Sequence, residues 1–320
     1  MFDFHIHIAR LPHTKQLSQL LLDRNYDFIA IACEPWEWRV VTQLKKEFSS
    51  GLKPFKAAYG IHPMIVTQVT DEMLAKLRTL LEEDKHAIVG EAGIDKRYPG
   101  YEDGTQNEVF LAQAKLALEL KRDLQIHCVG DYMRVLKLLE KAGFKKTSDK
   151  RLLQDAPDSS QEKNLQTQNV TRLQESPRPI FHRFGGDENF VKKALPYGAL
   201  FSLHADSFRK KSTVAAIPHI PQERVFFETD ADETFWQGKT NRKIAASSVT
   251  TDPGTHSVHS GQAGSGMTSS TGAEITSNVE SVIQPNAEEK VPEQYTPKDI
   301  VAELENRLES VRLAYAKCRE

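Results

Sequence analysis

Apolar residues recur along this chain in two alternating rhythms. Short runs rich in β-branched and aromatic residues are followed by longer stretches whose apolar positions return every three or four residues. The short runs are FDFHIHI (2–8), DFIAIAC (27–33), FKAAYGI (55–61), AIVGEAG (87–93), LQIHCV (124–129), PIFHRF (179–184), ALFSL (199–203) and RVFFET (224–229). Helical spacing fills the intervals, as in SQLLLDRN, VVTQLKKEF, DEMLAKLRTLLEED, QNEVFLAQAKLALELK and DYMRVLKLLEKAG. Strict strand and helix alternation favours a parallel sheet. Eight such units predict an α/β fold closed as a (β/α)8 TIM barrel rather than an open sheet, in one domain spanning 1–320. The last helix is signalled by Thr296 as a cap, Pro297 in the first turn and a stripe of Ile300, Val301, Leu304, Leu308, Val311 and Tyr315.

Two stretches break the rhythm. Residues 147–178 are polar, glutamine-bearing and without period, and they fall between a helix and the next strand, away from the face where a barrel carries its chemistry. Residues 245–294 are rich in Ser, Thr and Gly, as in SGQAGSGMTSSTGAE, and bury too little apolar surface to offset the entropy of ordering. Both read as disordered insertions, the second a solvated tether more than a lid.

Composition narrows the class. A mean hydropathy of −0.50 and the lack of any apolar run approaching about eighteen residues exclude a helical membrane span. A strand starting at residue 2 leaves no room for a signal peptide, so the expected compartment is the cytoplasm. Cys33, Cys128 and Cys318 lack metal-knuckle spacing and read as structural thiols. The net charge of −2 lacks the broad basic footprint of a protein that holds nucleic acid by phosphate neutralisation, so any such contact is expected to be local. No obligate protein partner is evident.

The first strand poses the chemical question. Alternation along FDFHIHI puts Phe2, Phe4, Ile6 and Ile8 on one face and Asp3, His5 and His7 on the other, a face of potential metal ligands. A His-x-His pair alone is weak. A barrel, however, supplies partners at the carboxyl ends of its other strands: Glu91 from the fourth, His127 from the fifth, His182 from the sixth and Asp230 from the eighth. Six such groups converging without a cation would face costly desolvation. Their number suits two ions about 3.5 to 4 Å apart rather than a lone zinc with three protein ligands. Glu91 is assigned as the bridge, with His5, His7 and Asp230 on one ion and His127 and His182 on the other. Water held between the cations becomes a hydroxide nucleophile near neutral pH, and Asp230 can accept its proton. The implied class is metal-assisted hydrolysis of a phosphoryl or acyl centre. Zinc, iron, cobalt, magnesium and manganese all stay open.

At these residues the chain resembles the TatD family of metal-dependent hydrolases, an amidohydrolase-like branch. The matching segments are DFHIH, GIHP (60–63), GEAGID (90–95), IHCV, FHRFGG (181–186) and ETD (228–230), in the family's order. The resemblance implies a TIM barrel, a two-metal site at the positions above and 3′-to-5′ deoxyribonuclease activity on DNA ends, usually with magnesium. Some relatives resemble D-aminoacyl-tRNA deacylases, so ester or amide hydrolysis is the alternative, and a non-catalytic scaffold a third reading that six converging groups argue against. A PHP-type phosphoesterase also opens with His-x-His, but the strand ending on Asp230 and the GEAGID turn fit it less well.

The departures bear on substrate. Val129 stands where the family often has an arginine two places after the strand-five histidine. Arg183 restores positive charge if it faces the cleft, and is carried as a substrate-binding candidate. His62 is the other, since its family counterpart is associated with substrate phosphate. Asp232 adds a carboxylate near the mouth, which repels a polyanion or binds a cationic group. Asp95 is expected to orient a metal ligand. Trp36 and Trp38 read as core packing rather than a base-stacking platform, Lys210 and Lys211 as solvated charge, and His204 as a histidine near the metals without identifiable partners. His13, His86, His219, His256 and His259 are left as structural or surface residues.

Overall fold

The computed structural model describes residues 1–48, 56–146, 177–236 and 295–319. Eight strands form from the predicted runs: β1 (Phe2–Ile6), β2 (Asp27–Ala32), β3 (Lys56–Tyr59), β4 (Ile88–Asp95), β5 (Leu124–Val129), β6 (Pro179–Phe181), β7 (Leu200–Leu203) and β8 (Val225–Phe227). A helix follows each: α1 (Thr14–Asp23), α2 (Pro35–Phe48), α3 (Asp71–Glu83), α4 (Thr105–Leu120), α5 (Tyr132–Ala142), α6 (Glu188–Ala194), α7 (Lys211–Ala216) and α8 (Pro297–Arg319). The strands pair in sequence order, each parallel to the next. A parallel bridge from Ile6 to Ala231 joins first to last, where the Asp230 N–H donates to the His5 carbonyl (3.0 Å) and the His7 N–H to the Ala231 carbonyl (2.9 Å). This is the expected (β/α)8 barrel.

The chain divides into two compact units, Met1–Glu233 with Pro292–Glu320, which holds the barrel, and Thr234–Val291, of which Thr234–Trp236 are described. The stretch expected as a second insertion, 245–294, lies outside the described residues, as does 147–176 of the first. Arg178, the last residue assigned to that first insertion, is buried, and its backbone N–H (2.8 Å) and guanidinium (2.7 Å) both donate to Asp123, which docks the start of β6 beside β5. Among the described residues no helix is long and apolar enough to cross a membrane.

The inside of the barrel is filled by Phe2, Phe4, Ile29, Ile31, Ile180 and Phe226, with Phe4 stacked on Phe226 at 4.2 Å between ring centroids. Here the alternation expected for β1 fails in one respect. Its register with β2 slips between Asp3 and Ile6, and a bulge of this kind re-aims side chains. Phe2 and Phe4 therefore join the core below His5 and His7, while Asp3 does not line the ligand face. Its carboxylate accepts from the Thr229 hydroxyl (2.5 Å), the Thr229 N–H (3.0 Å), the His5 N–H (3.3 Å) and the Tyr26 hydroxyl (3.3 Å), clasping β1 to the end of β8. Burial lifts its pKa to about 7 against those bonds.

Helix α4 fixes two rims at once. Gln106 and Gln113, two turns apart and therefore on one face, each hold a backbone amide and carbonyl. The Gln113 side chain accepts from the Ile61 N–H (2.7 Å) and donates to its carbonyl (3.0 Å), just before His62. Gln106 does the same for Asp95 at 2.8 and 2.9 Å. Helix α8 buries the predicted stripe, Ile300 to Tyr315, with Tyr315 against Phe227 at 5.3 Å.

The Asp3 clasp is testable without reference to chemistry. Asp3→Ala leaves buried donors on Thr229 and Tyr26 unpaired and is expected to lower unfolding free energy by about 2 to 4 kcal/mol in urea titrations; a loss under about 0.5 kcal/mol, the usual surface value, would show that β8 is held by other contacts.

Candidate metal centre

Most ligand candidates sit where a strand stops being regular, His127 alone lying in a regular stretch, within β5. β1 ends at Ile6, one residue before His7, and β6 ends at Phe181, one residue before His182. Arg183 (φ 43°) and Asp230 (φ 48°) take left-handed backbone conformations, turning the chain away from the ladder. β4 and β5 approach too closely for side chains between them. A Cβ on Gly93 would lie 1.8 Å from the His127 carbonyl oxygen, so only glycine lets Glu91 and His127 meet.

Glu91 is the hub, buried at 2 % exposure. Its Oε1 faces His127 Nδ1 at 2.5 Å, His182 Nε2 at 2.6 Å and His62 Nε2 at 3.7 Å. Its Oε2 faces His5 Nε2 at 3.3 Å and His7 Nε2 at 3.6 Å. Asp230 Oδ1 closes that second group, 3.4 Å from His5 Nε2 and 3.7 Å from His7 Nε2. Of the six residues named from the sequence, the other five therefore lie around the Glu91 carboxylate, split into two sets by its two oxygens.

Behind the imidazoles stands a ring of carboxylates. Asp95 Oδ2 takes His127 Nε2 at 2.9 Å, leaving Nδ1 to face Glu91. Glu228 Oε1 lies 3.4 Å from His182 Nδ1 and accepts the Arg183 N–H at 2.5 Å. Glu37 Oε1 lies 3.8 Å from His7 Nδ1 and accepts from Arg10 Nε at 2.7 Å. The bond from Asp95 fixes the tautomer and aim of the His127 ring, whereas Glu228 and Glu37 set negative charge behind His182 and His7. Asp95 thus has the orienting position anticipated for it, with the Arg97 guanidinium on it in turn at 2.6 Å.

The electrostatics follow from this packing. Burial pushes the Glu91 carboxyl upward, but the surrounding rings of His182, His127, His62 and His5 outweigh it and hold it well below the usual range. Burial likewise opposes ionisation of Asp230, and His5, His182 and Arg183 reverse it. Burial and the neighbouring His182 depress His5; burial and His127 depress His62. His7, His127 and His182 rise against burial because carboxylates face them, His7 to about 9. The cluster is built to hold positive charge.

Two of the donor pairs also have the spacing of a coordination-shell edge. His5 Nε2 and His7 Nε2 are 3.2 Å apart, as are His127 Nδ1 and His182 Nε2. With metal–nitrogen bonds of about 2.0 to 2.1 Å, the edge of a tetrahedron is about 3.3 Å. Ligand atoms of His5, His7 and Asp230 lie within 4.8 Å of one another, and so do those of His62, Glu91 and His127.

The remaining candidates separate clearly. His62 Nδ1 accepts from the Met64 N–H at 3.0 Å, so the neutral ring carries its proton on Nε2, toward Glu91. Arg183 faces the site: it donates to Asp230 Oδ2 at 2.7 Å and also pairs with Asp206, leaving its side chain 46 % exposed. Trp38 is buried and its indole N–H donates to the Gly60 (3.0 Å) and Ala32 (3.2 Å) carbonyls, as core packing requires. Trp36 is half-buried under Arg10. Lys210 and Lys211 are exposed, and His204 accepts the Asp206 N–H at 3.1 Å. Glu37, Glu228 and Arg10 were not singled out from the sequence. Glu228 opens the segment ETD, which was its one available signal.

A parallel eight-stranded barrel here gathers imidazoles and carboxylates at its strand ends, in groups that could hold metal ions. Residues 2–251 match the TatD related DNase family, and the chain belongs to it. Among curated relatives, the "3'-5' ssDNA/RNA exonuclease TatD" of Cronobacter sakazakii is 26 % identical over 175 residues, 54 % of this chain and 55 % of the relative. The "Uncharacterized metal-dependent hydrolase TatD" of Mycobacterium tuberculosis is 29 % identical over 182 residues, 55 % of this chain and 57 % of the relative. The chain spans about half the length of the curated relatives it matches. The fold is shared with an uncharacterized amidohydrolase from Saccharomyces cerevisiae (TM-score 0.53, 16 % identity, 77 % of this chain and 81 % of that one). It is also shared with a TatD homologue from Escherichia coli (TM-score 0.51, 20 % identity, 72 % and 79 %).

The carboxylate behind His127 gives a direct test. In Asp95→Asn the amide can donate to Nε2, which moves the ring proton to Nδ1, the atom facing Glu91. Zinc or manganese binding to chelator-stripped protein, followed by calorimetry, is expected to weaken about 10- to 100-fold; unchanged affinity would remove His127 from the metal shell.

Proposed function

We propose that the chain hydrolyses phosphodiester bonds at the 3′ ends of DNA, using two divalent cations held by His5, His7, Glu91, His127, His182 and Asp230. The observation that carries this reading is the division of labour on Glu91, whose Oε1 and Oε2 face two different imidazole pairs as a bridging carboxylate must. Cations bound there supply Lewis acidity to the scissile ester and lower the pKa of an attacking water. Magnesium, manganese and zinc are all compatible with a mixed imidazole and carboxylate shell.

The chain's own groups provide the rest. Asp230, kept ionised by the His5, His182 and Arg183 charges despite burial, is the acceptor for the proton of the attacking water. Arg183 holds that carboxylate in place through Oδ2. His62, with its proton on Nε2, donates to a phosphate oxygen. The exposed part of the Arg183 guanidinium is the other anion contact, weakened by Asp206, which already neutralises it in part.

A second reading, ester or amide hydrolysis such as deacylation of D-aminoacyl-tRNA, is favoured by that same neutralisation and by Val129, which adds no charge at the strand-five rim. End-labelled single-stranded DNA, D-aminoacyl-tRNA and simple esters should be compared with and without chelator. Nucleotide release from 3′ ends is expected to stop with chelator and to fall at least about 100-fold in Asp230→Asn. Release that survives both controls would place the nuclease elsewhere, and deacylation without nucleotide release would replace the first reading by the second.

A further inference from the structure

The mechanism above leaves one buried nucleophile at the centre unused. Cys33, the residue after β2, is 1 % exposed and belongs to the barrel core with Phe4, Ile31 and Ala58. Its sulfur also reaches out of that core to the site, 3.6 Å from Glu91 Oε2. That oxygen is the one facing His5 and His7. Ligand atoms of His7, Cys33 and Glu91 lie within 4.8 Å of one another, a third mixed set beside the two already described.

From these positions, and resting on the reading of the site as a metal centre, we infer that Cys33 is a sulfur ligand to the cation on the His5 and His7 side of Glu91. The separation is right for it. With a metal–sulfur bond of about 2.3 Å and a metal–oxygen bond of about 2.0 to 2.2 Å, the sulfur–oxygen edge of a tetrahedron is about 3.6 Å. The backbone is fixed to present the thiol: its N–H donates to Glu37 Oε2 at 2.7 Å, and its carbonyl accepts the His62 N–H at 3.4 Å. On binding, the sulfur–metal bond replaces the S–H bond and the thiol proton leaves to solvent. Without a cation the Cys33 S–H donates to Glu91 Oε2, and a bound ion would take the place of that proton.

The consequence is an unequal pair. The His127 and His182 side offers nitrogen and oxygen only, whereas the His5 and His7 side adds a soft donor, which favours zinc, iron or cobalt over magnesium at that position. The selectivity is then set by a residue outside the six-ligand motif.

Cobalt(II) titration of the full chain tests this without assaying activity. The expected result is a set of visible d–d bands together with a near-ultraviolet sulfur-to-cobalt band. That second band is lost in Cys33→Ser and kept in Cys128→Ser, a control on the other buried thiol. Preference for zinc over magnesium is expected to fall at least about tenfold in Cys33→Ser. X-ray absorption of the zinc-loaded wild type, which needs no variant, should show a sulfur scatterer at about 2.3 Å. Visible bands without a sulfur band, and nitrogen and oxygen scatterers alone, would overturn the role of Cys33 and leave the metal centre standing. Failure of wild type to take up cobalt or zinc at all would overturn both.

Discussion

An ionised carboxylate, Glu91, buried almost completely beneath the strand ends, is the constraint on which the rest of the site depends. A lone charge in such a place is costly, and in proteins it is tolerated only when paired and hydrogen-bonded. Here imidazoles from four other strands or strand ends answer it, and each answer carries a further one. Asp95 stands behind His127, Glu228 behind His182 and Glu37 behind His7, while Arg97 and Arg10 cap Asp95 and Glu37 toward the rim. Charge alternates outward from the centre in layers. The Asp95 bond orients His127, and the remaining layers balance the charge of the buried rings.

Much of the fold was legible because a barrel repeats its instructions. Each β/α unit has its own change from one period to the other, so a misjudged boundary in one leaves the others intact. The terminal stripe from Ile300 to Tyr315 was readable for the same reason, being a simple helical face against a barrel. The six converging residues were legible because strand order fixes which ends meet, and a closed sheet leaves them little room to be anywhere else.

What escaped the sequence acts through geometry that no period encodes. Asp3 shares a parity with His5 and His7, yet one inserted residue in β1 moves it out of their face and onto Thr229. Glu37 sits on α2 between two tryptophans, where its reach to His7 depends on the angle at which the helix leaves β2. Glu228 lies two residues before Asp230 and serves a different ring. Arg183 is expected to add positive charge only if it faces the cleft; it does face it, but two carboxylates distant in sequence pair with it there. These are tertiary coincidences, and local pattern has no term for them.

The barrel seam carries a consequence for how the protein is made. His5 and His7 emerge from the ribosome with the first strand, whereas the Asp230 amide that grips the His5 carbonyl is translated more than two hundred residues later. At about 5 to 20 residues per second the histidines wait for many seconds without their partner. A cation captured during synthesis would therefore meet an incomplete shell, and the finished one becomes available only when the last strand docks. Loading of the centre is in that sense a report on closure of the barrel.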